Sequence, residues 1–359
     1  MGNAKEYPAL SESSDKPAAG EPGPPEAVTR SWASPAPVPR PGPRLLRPRP
    51  GAPYHRVDRT GRFRWWRPPL AVLLVLAAYP VVLVTVMAAA TIIALPFGGR
   101  PDENGVTGWP VADLAVELFL LACLIPVVAL AVRLVLRRPV GTLASVEGRL
   151  RLRWLLLCCA VAAVCVAGYA AVLFGSYAVT SPGEPLLGTF TGAAAFAAAL
   201  AVVLLLVPFQ AAAEEYALRG FLMQVVGGYG ADPGERMRDG VLSRVLRSPV
   251  PAIAVSGVIF ALLHDYSAWA MADVAIFGLA MAWLTWYTGG LEAAVALHVL
   301  HNTVLFALSA YDGSYTDAGT GSGSWYALVG TGVEVGLYVV LVVWLARRLG
   351  VRRTVPDGG

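Results

Sequence analysis

Residues 70–97 read LAVLLVLAAYPVVLVTVMAAATIIALPF, 28 positions without a charge. A helix needs about 20 largely apolar residues to cross the hydrocarbon core of a bilayer, so this run is long enough to span it. Seven more apolar stretches follow, near 112–136, 154–180, 187–212, 249–264, 268–288, 291–310 and 324–346. Of the 359 residues, 56% are hydrophobic and only 14% charged, against roughly a quarter charged in a soluble domain. One aqueous core cannot hide that much apolar surface. The expected fold is all-α: a polytopic membrane bundle of about eight transmembrane helices with a disordered N-terminal tail.

The basic residues set the expected orientation. Of 28 Lys and Arg, 12 precede Leu70, 6 lie in 133–153, 5 in 219–248 and 4 after Ala346, which leaves Arg100 alone. With eight spans and the N-terminus inside, the first four regions face the cytoplasm and Arg100 faces away, a 27-to-1 division that follows the positive-inside rule. The connections on the far side carry Asp102, Glu103, Glu184, Asp312 and Asp317. The expected location is the cell membrane, multi-pass, with both termini cytoplasmic. The partners expected are the lipid bilayer and a membrane-associated protein or peptide, not nucleic acid.

Residues 1–67 are rich in Pro, Ala, Ser, Glu and Arg and poor in apolar side chains, a composition that builds no core. They are expected to form a disordered cytoplasmic tail, followed by a transmembrane helical domain over 68–350, with its motif-bearing core at 200–310, and a short cytoplasmic tail over 351–359. Arg62, Arg64 and Arg67 with Trp65 and Trp66 suit the headgroup layer, as a topology signal or anchor. Glu6 stands where a myristoylation motif needs Ser or Thr, and the first apolar run begins too late for a signal peptide. The connection 229–248, with Arg236, Arg238, Arg244 and Arg247, can form a short amphipathic helix on an anionic leaflet. Cys123, Cys158, Cys159 and Cys165 all fall in expected spans and read as small buried thiols without a disulfide framework.

Ionisable groups inside the hydrocarbon are costly and mark function by default. Three clusters qualify: Glu214-Glu215 with Arg219, His264 at the end of a run from Phe260, and His298 with His301 and Asn302. Glu215 and Arg219 are four apart, share a helix face and suit a structural ion pair. Glu214 lies about 100° around the helix and points elsewhere. His298 and Asn302 also share a face, with His301 one position off it. At 1.5 Å per residue, Glu214 is roughly 20 Å from a helix end near Gly227, His264 roughly 22 Å from Pro249 and Asn302 roughly 16 Å from Leu291. The three clusters can therefore meet at similar depth. In that arrangement 187–227 is too long for one straight span, and Pro208 is a candidate break.

A carboxylate and a histidine in a semi-dry cavity can activate water as base and acid. A second His with an Asn can donate hydrogen bonds to the oxyanion that forms when water attacks a peptide carbonyl. The set suits an intramembrane peptidase. Glu214, His264 and His298 equally form a candidate zinc shell with an open position, although no HExxH helix is present. Polar contacts between helices are the plain alternative for such residues. A proton-coupled transporter is another, but no pair of inverted, broken helices is present.

The order EExxxR, FxxxH, HxxxN, carried by Glu214-Glu215 and Arg219, Phe260 and His264, and His298 and Asn302, resembles the CAAX-protease and bacteriocin-processing family of intramembrane endopeptidases, which includes the type II CAAX prenyl endopeptidases. The resemblance spans about residues 200–310. It implies an eight-helix fold with a membrane-embedded cavity. It assigns Glu214 and His264 to water activation and His298 and Asn302 to the oxyanion. Phe260 and His301 are additional candidates. It implies a glutamate-type mechanism with no cofactor; a zinc-dependent version, and a non-catalytic scaffold or immunity protein on the same fold, are the alternatives.

Overall fold

A computed structural model of the chain describes residues 2, 45–103, 105–235, 240–317, 320–321 and 323–357. Among the described residues nine helices hold the apolar runs: α1 (Arg67–Phe97), α2 (Pro110–Leu136), α3 (Leu152–Thr180), α4 (Ala193–Gly227), α5 (Val241–Arg247), α6 (Pro249–Leu262), α7 (Ala268–Thr288), α8 (Glu292–Asp312) and α9 (Trp325–Arg348). Seven of them are long and apolar enough to cross a membrane, or eight if the bent pair α5–α6 counts as one span. The chain is an all-α, multi-pass membrane protein.

Local chemistry explains where these helices start and stop. Pro68 and Pro69 open α1, where the missing N–H would be unbonded in any case. Gly98, Gly289 and Gly313 end helices with left-handed backbones. The Ser324 hydroxyl caps α9 by accepting from Ala327 N at 3.2 Å. Ser248 is extended, as the residue before a proline must be, and α6 therefore leaves α5 at 58°. On α9, Val329, Val333, Leu337, Val340 and Trp344 are exposed at steps of three or four residues and form a stripe for lipid rather than for packing.

α8 lies against α3 and α4, α9 against α3 and α7, α6 against α7, and α2 against α4. Among these helices α8 is the innermost; its first two turns, Glu292 to His298, are entirely buried. The core around it includes Phe260, Phe277, Met281, Leu284, Leu297 and Tyr338. The two ends of the bundle are distinct. At one end Asp265–Tyr266, after α6, pairs in parallel with Thr320–Gly321, before α9. At the other end residues 45–66 pack with 228–235, with the start of α6 and with 351–355.

At that second end lies part of the stretch expected to be disordered over 1–67. Apart from Gly2, the described residues fall in one compact unit, Pro43–Gly359. Residues 3–44 lie outside the described residues, but 45–66 fold onto the bundle. Pro53 bridges Thr354, flanked by Gly51 N–Val355 O and Val355 N–Ala52 O bonds, both 2.9 Å, so 351–355 is not a free tail either. Tyr54 is fully buried, and its hydroxyl donates to Leu143 O. Arg56 donates to the carbonyls of Gly227, Tyr229 and Gly230, at 3.1, 2.5 and 3.0 Å, and pairs with Asp232. Asp58 meets the fully buried Arg138 at 2.9 Å. Composition hid this segment because polar side chains and backbone hold it in place, while its prolines reduce the entropy lost on ordering.

The span expected over 187–212 is α4, 35 residues long and continuous through Pro208 to Gly227. At 1.5 Å per residue it measures roughly 50 Å, well beyond a hydrocarbon core of about 30 Å. Its last turns therefore emerge into the collar of residues 45–66, where Arg56 takes up its terminal carbonyls. Of the amphipathic connection, α5 is helical with Val241, Leu242 and Val245 exposed beside Arg244; Arg236 and Arg238 lie outside the described residues.

Candidate active site

α4 brings two rows of polar side chains to the middle of the bundle. Gln210 and Glu214 form one row and Glu215 and Arg219 the other, each pair one helical turn apart. From Tyr216 to Leu222 the helix widens into a π-helical stretch, a distortion that recurs at functional sites. Arg219 Nη1 donates to Glu215 Oε1 at 3.0 Å, and neither side chain has any exposure. The expected ion pair is present. The guanidinium also donates to Gly278 O of α7 at 3.1 Å and lies 4.1 Å from the Phe260 ring centroid of α6. A Cβ on Gly278 would sit 2.8 Å from the Phe260 ring, so glycine permits this approach.

His298 on α8 meets both carboxylates. Its Nδ1 is 2.7 Å from Glu215 Oε1 and its Nε2 is 3.6 Å from Glu214 Oε2. An ionised carboxylate only accepts, so Nδ1 carries a proton and donates it to Glu215. Glu215 thus does more than the expected pairing with Arg219: it also fixes the ring of His298. Asn302, one turn further along α8, donates Nδ2 to Gln210 Oε1 at 3.3 Å, and Gln210 Nε2 is 2.5 Å from Glu214 Oε1. Glu214 Oε2 is buried without a hydrogen-bond partner among the described residues.

His264 lies just beyond α6. Its Nδ1 donates to Phe260 O at 2.8 Å, which leaves Nε2 as the acceptor of the neutral ring. It stacks on Tyr266 with 5.4 Å between centroids. Its hydrogen bond therefore goes to Phe260 and not to Glu214. Phe260 is the shared neighbour: its ring centroid lies 4.8 Å from His264 and 5.7 Å from His298. The structure thus gathers Glu214, Glu215, Arg219 and His298 by direct contact, attaches Asn302 through Gln210 and attaches His264 through Phe260.

His301 belongs to a different cluster. Its Nδ1 is 2.9 and 3.2 Å from the two carboxylate oxygens of Glu334 on α9, and its ring lies 5.1 Å from that of Tyr169. Phe277 separates the clusters, 5.5 Å from His301 and 5.3 Å from His298. The pattern around Glu334 gave no hint of a partner, yet this fully buried acid has one. Gln210 was also missed. The available signal was its polarity in an apolar helix, one turn before Glu214.

Zinc fits this arrangement poorly. Among the described residues no three His, Cys, Asp or Glu side chains are grouped to hold a metal ion. Of the candidate shell, His264 Nδ1 donates to Phe260 O and His298 Nδ1 to Glu215, and each ring keeps its Nε2. The four cysteines are free thiols, two buried and two half-buried.

Residues 193–304, which contain every member of this cluster, match the family model described as Type II CAAX prenyl endopeptidase Rce1-like. The chain is also 27% identical over 210 residues to the uncharacterized protein YyaK of Bacillus subtilis (strain 168). That match covers 56% of this chain and 63% of YyaK, so the chain spans a little under two thirds of that relative's length. No solved structure matches the chain.

Proposed function

We propose that this chain, whose residues 193–304 form a type II CAAX prenyl endopeptidase Rce1-like domain, is an intramembrane endopeptidase that hydrolyses a peptide bond in a membrane-associated protein or peptide. One observation carries the reading. His298 is held between two carboxylates inside an apolar bundle, and the oxygen that Glu214 turns towards it has no donor of its own. A buried carboxylate oxygen without a donor is costly, and water answers that cost while being polarised for attack.

In this mechanism Glu214 takes a proton from water as the hydroxyl adds to the scissile carbonyl; collapse of the tetrahedral adduct then breaks the C–N bond, and the proton held by Glu214 passes to the leaving amine. His264, with Nε2 as its accepting nitrogen, assists that transfer. Asn302 has an amide hydrogen beyond the one it gives to Gln210, and His298 has Nε2; both serve the developing oxyanion. His298 Nε2 serves as a donor when it carries a proton alongside the one on Nδ1. The chemistry proposed is metal-free, supported by the scattered donors of the zinc alternative. The basic residues support cytoplasmic placement of both termini.

A second reading, a non-catalytic membrane scaffold on the same fold, draws on the bond of His264 to Phe260 rather than to Glu214. Glu214→Gln separates the two. It keeps size and hydrogen bonding but cannot accept the proton, so membrane level should hold while hydrolysis falls by about 10²–10⁴. The measurement is comparative peptide profiling of membranes carrying wild type or variant, with protein level checked by immunoblot. An unchanged profile in well-expressed Glu214→Gln that still supports biological function would establish the scaffold.

A further inference from the structure

Gln210 is 4% exposed in the middle of a transmembrane helix and has both ends of its amide bonded. A buried amide among alanines and leucines is expensive unless both ends are satisfied, so its two partners explain its presence. They also fix its direction. The Glu214 carboxylate has no hydrogen to give, and an amide oxygen 2.5 Å from it would set two negative atoms in contact. The end facing Glu214 is therefore the NH₂ group. The oxygen then faces Asn302, which must present its own NH₂. The chain runs one way: Asn302 donates to Gln210, and Gln210 donates to Glu214. Each donor is strengthened by the one behind it, and the row terminates on a negative charge.

We propose that Gln210 is a positioning residue. It holds the Glu214 carboxylate in the rotamer that leaves Oε2 turned towards His298, and it orients the Asn302 amide at the same time. A glutamate side chain turns about three bonds. A donor one helical turn earlier on the same helix fixes it without needing any neighbouring helix to move. By taking one hydrogen of Asn302, Gln210 leaves the second for the oxyanion, so the group that accepts a proton from water and the group that meets the new negative charge share one support. This proposal rests on the peptidase reading above.

The test uses full-length protein and the peptide whose release separates wild-type from Glu214→Gln membranes. Gln210→Met has nearly the same length and suits an apolar helix but cannot donate. It should lower kcat by roughly 10²-fold, the scale of a small misplacement of reacting groups, with KM and protein level unchanged. Gln210→Glu gives the sharper readout. Protonated, its hydroxyl can donate to Glu214 while its carbonyl accepts from Asn302, as the amide does; ionised, it repels Glu214. Its turnover should therefore return only on the acidic side of the wild-type pH profile. A residue that merely packs would leave the profile of Gln210→Glu where wild type has it, and that result overturns the proposal even if Gln210→Met fails to accumulate. Wild-type kcat in Gln210→Met, with Glu214→Gln inactive, overturns the positioning role alone. Wild-type turnover in Glu214→Gln overturns the peptidase reading beneath it.

Discussion

Glu215 is held from two helices through a single oxygen: Arg219 and His298 both reach Oε1, at 3.0 and 2.7 Å. Glu215→Ala leaves a fully buried guanidinium without its carboxylate and removes the acceptor of the imidazole. Breaking a buried pair from one side costs about 3–5 kcal/mol, so heat stability in detergent should fall by that order. Removing the Arg219 charge as well should restore part of it. Wild-type melting of both single variants would show that the pair contributes nothing. The spacing of this pair, and of His298 with Asn302, was legible because each lies within one helix, where period alone decides which side chains share a face. Contacts between helices were not legible. That His298 meets Glu215 as well as Glu214 depends on the rotation of α8 against α4, which no local pattern encodes. Gln210 escaped notice for another reason: a neutral amide lacks the charge that makes an intramembrane residue conspicuous.

Helix boundaries were legible wherever an apolar run ends in a glycine or an arginine, as in α1, α7 and α9. α4 is the exception, because Arg56, some 170 residues away in sequence, takes up its last carbonyls and lets it outrun the bilayer. The same collar carries a pH dependence. His55 is buried against α4, its Nε2 donates to Arg247 O at 3.1 Å, and burial pushes its pKa down to about 4. The undocked segment takes up a proton below about 6.5, whereas the docked one stays neutral until about 4. Docking is therefore strongest above pH 6.5 and weakens as pH falls towards 4, by up to roughly 3 kcal/mol. Hydrogen exchange of residues 45–66, corrected for intrinsic rates, should show protection lost between pH 7 and 5 in wild type and kept in His55→Gln. Equal loss in both would remove His55 as the cause. Gly227 belongs to the same contact: a Cβ there would overlap the His55 carbonyl oxygen, so the close approach of strap and helix requires glycine.

Across the whole molecule, the number of crossings and the distribution of charge constrain each other. Eight crossings put the basic regions on one side, and the eighth requires α6, whose 14 residues cover only about 21 Å. Reporters fused after Arg153 and after Gly359 should read cytoplasmic, and one inserted near Gly319 should read the far side. A cytoplasmic reading near Gly319 would remove the eight-crossing arrangement and the orientation with it. Charge counting predicts this topology because the basic residues divide so unequally among the connections. It could not reveal that the segments at one end of the bundle close on each other, since a bridge such as Pro53–Thr354 has no periodic signature. That bridge imposes an order on biosynthesis. At about 5–20 residues per second, Pro53 leaves the ribosome roughly 15–60 s before its partner is made. Leu143, which Tyr54 bonds, and Arg247, which His55 bonds, are both made before Thr354, so the strap fastens in stages as the helices enter the bilayer, and the Pro53–Thr354 bridge closes after them.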